Sequence, residues 1–304
     1  MIQESTPTRQ FVALGGGHGL SATLTALRLL GADPTAVVTM ADDGGSSGRL
    51  RRDLGLPPPG DLRMALLALA DPEVEARELF AYRFQRGDLA GHNLGNLILA
   101  GLTELRGDFL DALDTASRWL QVRGRVLPST LVPVRLRGRV EGEVIEGQVA
   151  IGEARGRVER VWLEPRRPTA LAEAVAAVRG ADLVLLGPGS IFTSVVPNLL
   201  VPELGAATAE VSSRVVYLCN LEPQPGESSG FSPEAHLAAL LAHCPGLRVP
   251  VVLCQRPATE AAMEREVEAF RALGARVLHA DLADPSHPGR HDPTRLTVAL
   301  KELG

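Results

Sequence analysis

Aromatic residues, cysteines and long apolar runs are all scarce in this sequence of 304 residues. Phe, Trp and Tyr together make up 4% of the residues, so a folded core has to be built mainly from Leu, Val and Ala. The three cysteines, Cys219, Cys244 and Cys254, form no CxxC motif and no paired metal-ligand spacing, which is typical of reduced cytosolic residues. No run of 18 apolar residues occurs, so we expect no membrane span.

Charge and the N-terminal residues limit the function classes further. The formal net charge is −5, which argues against a nucleic-acid-binding protein. The first ten residues are polar and lack the apolar stretch of a secretory signal peptide. We therefore expect a cytoplasmic protein that binds no nucleic acid.

What the sequence does contain is an alternation of short apolar runs and helical patterns. Phe11–Leu14 predicts a buried strand, Leu20–Leu30 has the apolar spacing of a helix, and Thr35–Met40 predicts a second strand. Such a βαβ unit almost always has a right-handed crossover within a parallel sheet. The same rhythm returns after Thr169, so we predict one α/β domain over residues 10–304.

Residues from about 122 to 165 differ from this rhythm. They alternate between apolar and polar side chains in short lengths that glycine interrupts. This alternation is typical of antiparallel strands with one solvated face. We predict a small β-rich subdomain that is inserted into the α/β domain.

Five polar segments follow predicted strands or open predicted helices. Ligands in open α/β sheets gather outside the carboxyl ends of the strands, where such segments meet. We therefore expect the site to combine Gly15–Gly19, Ala41–Arg49, Gly91–Asn96, Gly187–Ser190 and Asn220–Gly230.

The first and fourth of these segments have the composition of phosphate-binding turns. Glycine lets the backbone approach an anion closely, and a helix N-terminus supplies unpaired N–H groups. A tight strand-to-helix turn without a ligand would have the same composition, and His18 could either donate to a phosphate or cap the loop. The predicted phosphate contacts here are Gly15, Gly16, Gly17, His18, Gly19, Leu20, Gly187, Pro188, Gly189 and Ser190.

The second segment carries two adjacent carboxylates, Asp42 and Asp43, directly after a strand. They could hold a divalent metal or accept hydrogen bonds from ribose or sugar hydroxyls. Arg49 has the planar fork that binds phosphate, whereas a solvated turn is the alternative explanation. Asp61 either caps a helix or joins the site. Further N–H and hydroxyl groups come from Gly44, Gly45, Ser46 and Ser47.

The third segment offers uncharged amides. Asn93 and Asn96 are three residues apart and would share one helical face beside His92, which suits recognition of hydroxyls or a base. Helix capping is an equally common role for such amides. Asn220 ends a later predicted strand and therefore points to the same edge of the sheet.

Several motifs, in order along residues 11–300, together resemble the bacterial gluconeogenesis-factor (YvcK-like) family. That family is part of the superfamily of 2-phospho-L-lactate transferase (CofD-like). The long second motif makes the resemblance specific. The motifs are GGGHGL, TMADDGGSSGRLRRDLGLPPPGDLRMALLALAD, GHNLGNLILAGL, GDF, GPGSIFTSVVPNLLV and GRHDP.

This resemblance implies a Rossmann-like three-layer α/β fold with a parallel sheet and a smaller β-rich subdomain. Bacterial members of the family are associated with binding of UDP-sugars, notably UDP-N-acetylglucosamine, and with carbon metabolism, cell-wall precursor supply and cell shape. The transferase relatives move a phospholactyl group from a nucleotide diphosphate donor to a deazaflavin precursor, with Mg²⁺ held by aspartates. On that pattern the Mg²⁺ ligands here would be Asp42, Asp43 and Asp61.

The resemblance also assigns residues in the second half of the chain. Arg290 in GRHDP is expected to reach a phosphate. His18 stands where the family more often has a small hydroxyl residue. Phe270 stands where the family commonly has Tyr, so it keeps a stacking face for the ligand but loses a hydroxyl. Residues that match a further family motif are Asn220, Gln224, Pro225, Gly226 and Glu227.

Three functions remain open at this point. The first is a regulatory protein that binds a UDP-sugar, and the second is a Mg²⁺-dependent transferase of the 2-phospho-L-lactate type. The third is an NAD-dependent dehydrogenase, but no His–Asp or Ser–Tyr–Lys catalytic set follows the glycine loop. We favour the UDP-sugar-binding regulator, and we also expect a homodimer and a regulatory protein partner.

Overall fold

The computed structural model describes residues 9–224 and 226–303, so Pro225 and the predicted domain end at residue 304 lie outside the described residues. Short apolar runs form most strands of the main sheet, as the sequence predicts. The strands of the described chain are β1 (Phe11–Gly15), β2 (Thr35–Val38), β3 (Arg125–Pro128), β4 (Arg135–Val140), β5 (Glu143–Glu146), β6 (Val158–Glu164), β7 (Leu183–Leu186), β8 (Val215–Leu218), β9 (Val251–Gln255), β10 (Arg276–Ala280), β11 (Ala283–Asp284) and β12 (His287–His291).

Helices connect these strands. A π-helical turn at Ile191–Val195 continues directly into α9, and a 3₁₀ turn lies at Ser212–Arg214. The α-helices of the described chain are α1 (Gly17–Leu29), α2 (Gly45–Leu54), α3 (Gly60–Leu69), α4 (Ala76–Ala81), α5 (Leu94–Arg106), α6 (Phe109–Trp119), α7 (Gln148–Glu153), α8 (Ala172–Gly180), α9 (Val196–Leu199), α10 (Pro202–Glu210), α11 (Pro233–His243), α12 (Glu260–Ala272) and α13 (Pro293–Lys301).

The main sheet is parallel and has the strand order β10-β9-β8-β7-β1-β2-β3. Successive strands are added towards one edge of the sheet from β1 to β3 and towards the opposite edge from β7 to β10. Right-handed crossovers therefore place helices on both faces of the sheet. β7 and β8 are therefore covered on both sides, and every residue of both is buried. The predicted Rossmann-like α/β fold is confirmed. The change of direction between β1 and β7 marks the crevice where ligands of such sheets bind.

The inserted subdomain is a separate antiparallel sheet. Its three strands pair in the order β5-β4-β6, and α7 packs against β4 and β5. The predicted span of about 122 to 165 is too long at its start, because β3 pairs in parallel with β2 at the edge of the main sheet. A four-residue strand has no periodicity that identifies its neighbour, so sequence alone could not separate β3 from the insert.

No single helix within the described residues is long and apolar enough to cross a membrane. One bent pair, Ile191–Leu199 with Pro202–Glu210, meets that test by length and composition only, with an angle of 83° between its two parts. The first part of this pair is buried along its whole length.

Candidate functional site

The turn after β1 ends in a helix whose N-terminus is open. β1 ends at Gly15, Gly16 precedes the first turn, and α1 begins at Gly17. Gly16 has no side chain that could cap this helix, and the N–H of Gly17 hydrogen-bonds to the carboxylate of Asp61. No side chain of the described residues hydrogen-bonds to the next N–H groups of the first turn, those of His18 and Gly19. Gly17 has a φ of +63°, and a Cβ at this position would meet nothing within 4 Å. The side-chain direction of Gly17 therefore faces open space, beside the cavity that His18 and Gly19 line.

The neighbouring glycines of this turn have a different role. A Cβ at Gly19 would lie 2.1 Å from the carbonyl oxygen of Pro188, and one at Gly16 would lie 2.4 Å from Oδ2 of Asp61. These two positions are glycine because the protein packs against them. The side chain of Leu20 is buried in the core, so only its backbone could contribute to the site.

The turn after β7 supplies no comparable open N-terminus. The N–H of Gly189 donates to Oδ1 of Asn220 at 2.8 Å, and the N–H of Phe192 points to Oε1 of Glu227 at 3.5 Å. The hydroxyls of Ser190 and Thr193 also face this carboxylate. They oppose the effect of burial, which nevertheless raises the pKa of Glu227.

A carboxylate of the protein therefore occupies the place where the sequence predicts a bound phosphate. The predicted cradle Gly187–Ser190 is corrected in this respect. The turn borders the site, but Asn220 accepts the N–H of Gly189, and Glu227 faces the hydroxyl of Ser190 and the N–H of Phe192. Glu227 follows the turn by 37 positions in the chain, too far for a local pattern to connect the two.

Two carboxylates come together beneath the open turn. Oδ1 of Asp42 accepts the N–H of Gly44 at 2.9 Å. Burial, and after it the nearby charge of Asp42, raises the pKa of Asp61 to about 7. Burial also raises the pKa of Asp42. Oδ2 of Asp61 is buried without a hydrogen-bond partner in the described part of the chain. Near neutral pH the pair therefore carries fewer than two negative charges.

The carboxylate of Asp43 binds to the inserted subdomain and not to the pair of Asp42 and Asp61. Its carboxylate oxygens accept the N–H groups of Gln148 at 2.9 Å and Val149 at 3.0 Å, at the start of α7. The amide of Gln148 in turn donates to the carbonyl of Thr193 at 3.2 Å. These bonds fasten the insert to the segments after β2 and β7, and both oxygens of Asp43 are engaged.

The three predicted metal ligands do not form one set. Among the described residues, no three His, Cys, Asp or Glu side chains lie together as a group that could hold a metal ion. Mg²⁺ is often held by only one or two carboxylates together with water and substrate phosphates. The unpartnered Oδ2 of Asp61 beside Asp42 fits that requirement. A metal at this site would therefore rest on Asp42 and Asp61, without Asp43.

The second half of the Ala41–Arg49 segment is helical, whereas the sequence predicts a loop. α2 begins at Gly45 and Gly44 precedes its first turn. Ser47 is buried, and its hydroxyl accepts the N–H of Gly60 at 3.0 Å, which ties α2 to the start of α3. Tertiary contacts of this kind override the weak helix propensity of glycine and serine.

Arg49 and His92 tie α2 to the turn before α5. Nη2 of Arg49 donates to the carbonyl of Ala90 at 3.0 Å, and Oγ of Ser46 lies 3.1 Å from Nδ1 of His92. Burial and then the charge of Arg49 lower the pKa of His92. Neither Arg49 nor His92 lines the cavity at the open turn.

The predicted amides are used inside the protein. Oδ1 of Asn93 accepts the N–H of Asn96 at 3.3 Å and so caps α5, while its amide group donates to the carbonyl of Ala81. Oδ1 of Asn96 accepts from Nε of Arg63 at 2.9 Å. Both asparagines are buried, so the capping alternative describes Asn93, and Asn96 holds Arg63.

A cavity of about 390 Å³ opens at the carboxyl edge of the sheet, beside the N-terminus of α1. It brings together predicted residues from four separate parts of the chain. Its lining residues are His18, Gly19, Ala22, Pro188, Gly189, Asn220, Leu221, Glu222, Pro223, Gln224, Gly289, Arg290 and His291.

Among the described residues that line this cavity, the ionisable side chains are two histidines, one arginine and one acid, Glu222. Burial, then Arg290, then Arg63 lower the pKa of His18, so its imidazole is largely neutral near pH 7. Burial lowers the pKa of His291 to about 4, and the backbone carbonyl of Cys219 accepts a hydrogen bond from its ring. Nε2 of His291 is therefore an acceptor, and it is buried without a partner in the described residues.

Sequence reasoning missed His291, although it directly follows Arg290 in GRHDP. The GRHDP motif contains both residues, but only its arginine was predicted to contact the ligand. Phe270 is the opposite case. Its ring is fully buried on α12, which packs against β10, so the predicted stacking face for a ligand is wrong. An aromatic residue in an amphipathic helix is more commonly core than ligand contact.

Comparison with known proteins agrees with these motifs. The profile of a family described as 2-phospho-L-lactate transferase CofD matches residues 11–291. A protein of Mycobacterium tuberculosis (strain H37Rv) named as a gluconeogenesis factor is 48% identical, over 96% of this chain and 90% of its own length. The gluconeogenesis factor of Bacillus subtilis (strain 168) is 40% identical, over 95% of this chain and 96% of its own length.

A solved structure has the same fold. It is described as a member of the upf0052 family from Bacillus halodurans, and it superposes with a TM-score of 0.89 at 37% identity. The superposition covers 98% of this chain and 100% of that one. Because profile, relatives and structure agree over nearly the whole chain, this protein belongs to the CofD family, among the relatives named gluconeogenesis factors.

Proposed function

We propose that this protein is a regulator that binds a UDP-sugar such as UDP-N-acetylglucosamine and acts on carbon metabolism, cell-wall precursor supply and cell shape. The observation that carries the proposal is the open N-terminus of α1, which meets His18 and Arg290 in one cavity where the strand order reverses. Unpaired N–H groups, the helix dipole and a guanidinium together stabilise a diphosphate.

Two unpartnered atoms favour a nucleotide sugar over a simple phosphate. Nδ2 of Asn220 is a donor and Nε2 of His291 is an acceptor, and neither has a partner among the described residues. Both residues line the same cavity as Arg290. A base edge or a sugar hydroxyl offers a donor and an acceptor together, and small-molecule sites place such convergent polar groups in a cavity.

The regulatory class is supported by the relatives and by Asp43. Relatives at up to 48% identity are named gluconeogenesis factors, whereas the transferase activity is in the description of the whole family. Asp43 caps α7, so this acid has a structural function that a ligand-binding regulator would retain.

A second function is favoured by one observation, the unpartnered Oδ2 of Asp61 beside Asp42. In a 2-phospho-L-lactate transferase these two residues would hold Mg²⁺, and the N-terminus of α1 would bind the donor diphosphate. When bound, the metal would stabilise the charge on the leaving phosphate. We rank this function second because only two of the three predicted aspartates come together.

Calorimetry separates these functions. Wild-type protein is titrated with UDP-N-acetylglucosamine, GDP and NAD, each with Mg²⁺ and again with EDTA. We expect UDP-N-acetylglucosamine to bind under both conditions and NAD to bind weakly or not at all. Binding of GDP only with Mg²⁺, together with nucleotide release in the presence of a phospholactyl donor and a deazaflavin acceptor, would establish the transferase. NAD binding without uridine-nucleotide binding would overturn both functions.

A cytoplasmic location, a homodimer, a protein partner and the absence of nucleic-acid binding stay predictions from the sequence. Light scattering on the purified chain tests the dimer, and the same measurement with and without UDP-N-acetylglucosamine tests whether the ligand changes the assembly.

A further inference from the structure

A second cavity, of about 700 Å³, lies between α1 and α3 and reaches the first turn of α1 at His18. Of the described residues that line it, none is acidic, although the chain carries a net charge of −5. A cavity with charge of one sign concentrates anions. The four arginines on its walls are Arg28, Arg63, Arg77 and Arg83.

Two of these arginines lie at the C-terminal end of α3. Arg28 and Arg77 both donate to the carbonyl of Ala70, and Arg77 also donates to the carbonyl of Leu67 at 2.7 Å. These bonds satisfy carbonyls that the helix end leaves unpaired. A guanidinium has five N–H donors in a planar fork, so each of the two keeps donors for a ligand.

The other two arginines lie towards the α5 end of the cavity. Arg63 donates to Oδ1 of Asn96 at 2.9 Å and to the carbonyl of Phe80 at 3.2 Å, and Arg83 donates to the carbonyl of Gly91 at 2.7 Å. All of these partners are uncharged. Both guanidinium groups line the same cavity, and burial, followed by the charge of Arg83, lowers the pKa of Arg63 to about 10.

No carboxylate of the described chain forms an ion pair with any of the four arginines. Two acids, Asp33 and Asp71, raise the pKa of Arg28 by their charge, but each has another partner. Asp33 forms an ion pair with Arg123, and Asp71 accepts the N–H of Glu73. Asp42 and Asp61 act on Arg63 only from beyond ion-pair distance. A buried cation beside another cation is costly without a counter-ion, and a bound oxyanion would remove that cost.

We propose that this cavity is a second ligand site, for a small phosphorylated organic molecule. Its phosphate lies between Arg63 and Arg83, where two planar forks match a dianion, and its carbon skeleton lies against Met64 and Leu67. His18 lines this cavity and also the nucleotide cavity, so the two ligands are neighbours and each affects the binding of the other. The site goes beyond the proposed UDP-sugar site, because none of the four arginines lines the cavity at the open turn.

The test is a titration with 2-glycerophosphate, a simple organic phosphate, and with glycerol as its uncharged match. It is run first on protein saturated with UDP, which fills the nucleotide cavity, and then on protein without nucleotide. We expect 2-glycerophosphate to bind in both states and glycerol in neither. Absence of 2-glycerophosphate binding in both states would overturn the proposal.

Arginine variants show where 2-glycerophosphate binds. Arg83 is exposed and its guanidinium donates to the carbonyl of Gly91, so Arg83→Gln should fold normally and weaken 2-glycerophosphate binding at least tenfold. Arg77→Gln, at the other end of the cavity, serves as a second variant with a smaller loss. The control is Arg118→Gln, an exposed arginine on α6 that lies outside the cavity. Equal affinity in wild type, Arg83→Gln and Arg77→Gln would show that the phosphate binds elsewhere.

One further variant separates this proposal from the nucleotide proposal. Arg290→Gln should weaken UDP binding and leave the binding of 2-glycerophosphate to the nucleotide-free protein within about twofold. If wild type binds no UDP but binds 2-glycerophosphate in a manner that depends on Arg83, the nucleotide proposal fails and this one stands. Loss of 2-glycerophosphate binding in Arg290→Gln, with none in Arg83→Gln, would overturn the second site.

Discussion

The turns after β1 and β7 look alike in sequence and differ in what fills them. Both are glycine-rich, both leave adjacent strands of the sheet, and both lead into helical segments. The N–H groups after β7 face the carboxylate of Glu227, whereas at the start of α1 only the N–H of Gly17 faces an acid, Asp61, and those of His18 and Gly19 border the cavity. A glycine turn before a helix therefore predicts an anion, but the anion can belong to the protein itself.

Asp61 hydrogen-bonds to the N–H of Gly17 at the start of the open turn, and its substitution gives the largest expected effect. Its pKa is about 7 in the folded protein, raised by burial and by Asp42 from an unfolded value near 3.8. Between these values the folded state binds the proton and the unfolded state does not, so the stability falls as pH rises from about 4 to about 7 and then levels off. Asp61→Asn removes this loss of stability, which amounts to at most about 4 kcal/mol.

Urea unfolding of wild type and Asp61→Asn at several pH values measures the effect. The free energy of unfolding of the variant should rise relative to that of wild type as the pH increases from 4 to 7. The difference between the two should stay constant above pH 7. A difference that is independent of pH would show that Asp61 titrates normally, and the turn after β1 would then also carry a permanent internal anion.

Removal of Glu227 should expose what the internal carboxylate does for the turn after β7. Glu227→Ala leaves buried N–H and hydroxyl groups without an acceptor, which is expected to cost about 2–4 kcal/mol of stability. The control is Glu222→Ala, an exposed glutamate nearby, for which we expect a change below about 0.5 kcal/mol. Equal unfolding midpoints for the two variants would mean that the turn after β7 does not depend on its internal anion.

Much of the fold could be predicted from the sequence because it depends on local patterns. The βαβ unit and the start of α11 follow from apolar spacing and from Pro233 at the first helical position. The site was less predictable because its decisive contacts join distant residues. Asp43 bonds to a backbone N–H 105 positions later, and no local pattern contains that partner. Asp43 therefore looks like a metal ligand in sequence and is a helix cap in the structure.

Two arginines with different surroundings show by their effect on ligand affinity which helix start binds the diphosphate. Arg290 lines the cavity at the open turn, so Arg290→Gln should weaken the binding of UDP-N-acetylglucosamine about ten- to hundredfold, the usual range for a lost charged hydrogen bond.

Arg49 is expected to matter least. The sequence predicts that it clamps a phosphate, but its guanidinium donates to the carbonyl of Ala90 and lies outside this cavity. Arg49→Ala should therefore change the affinity by less than about threefold, within the small effects typical of positions away from a ligand. Calorimetry under identical conditions compares both arginine variants with wild type. A larger loss in Arg49→Ala than in Arg290→Gln would move the diphosphate to the start of α2.

The central claim, that the open N-terminus of α1 is the anion site, is tested most directly at Gly17. A Cβ there meets no atom within 4 Å, and Asp and Asn are equal in size and tolerate a φ of +63° similarly, so Gly17→Asp and Gly17→Asn differ mainly in charge. Each variant is titrated with UDP-N-acetylglucosamine beside wild type. We predict that Gly17→Asp, which supplies an internal anion as Glu227 does after β7, binds at least tenfold more weakly than Gly17→Asn. Equal affinities in the two variants would contradict the account.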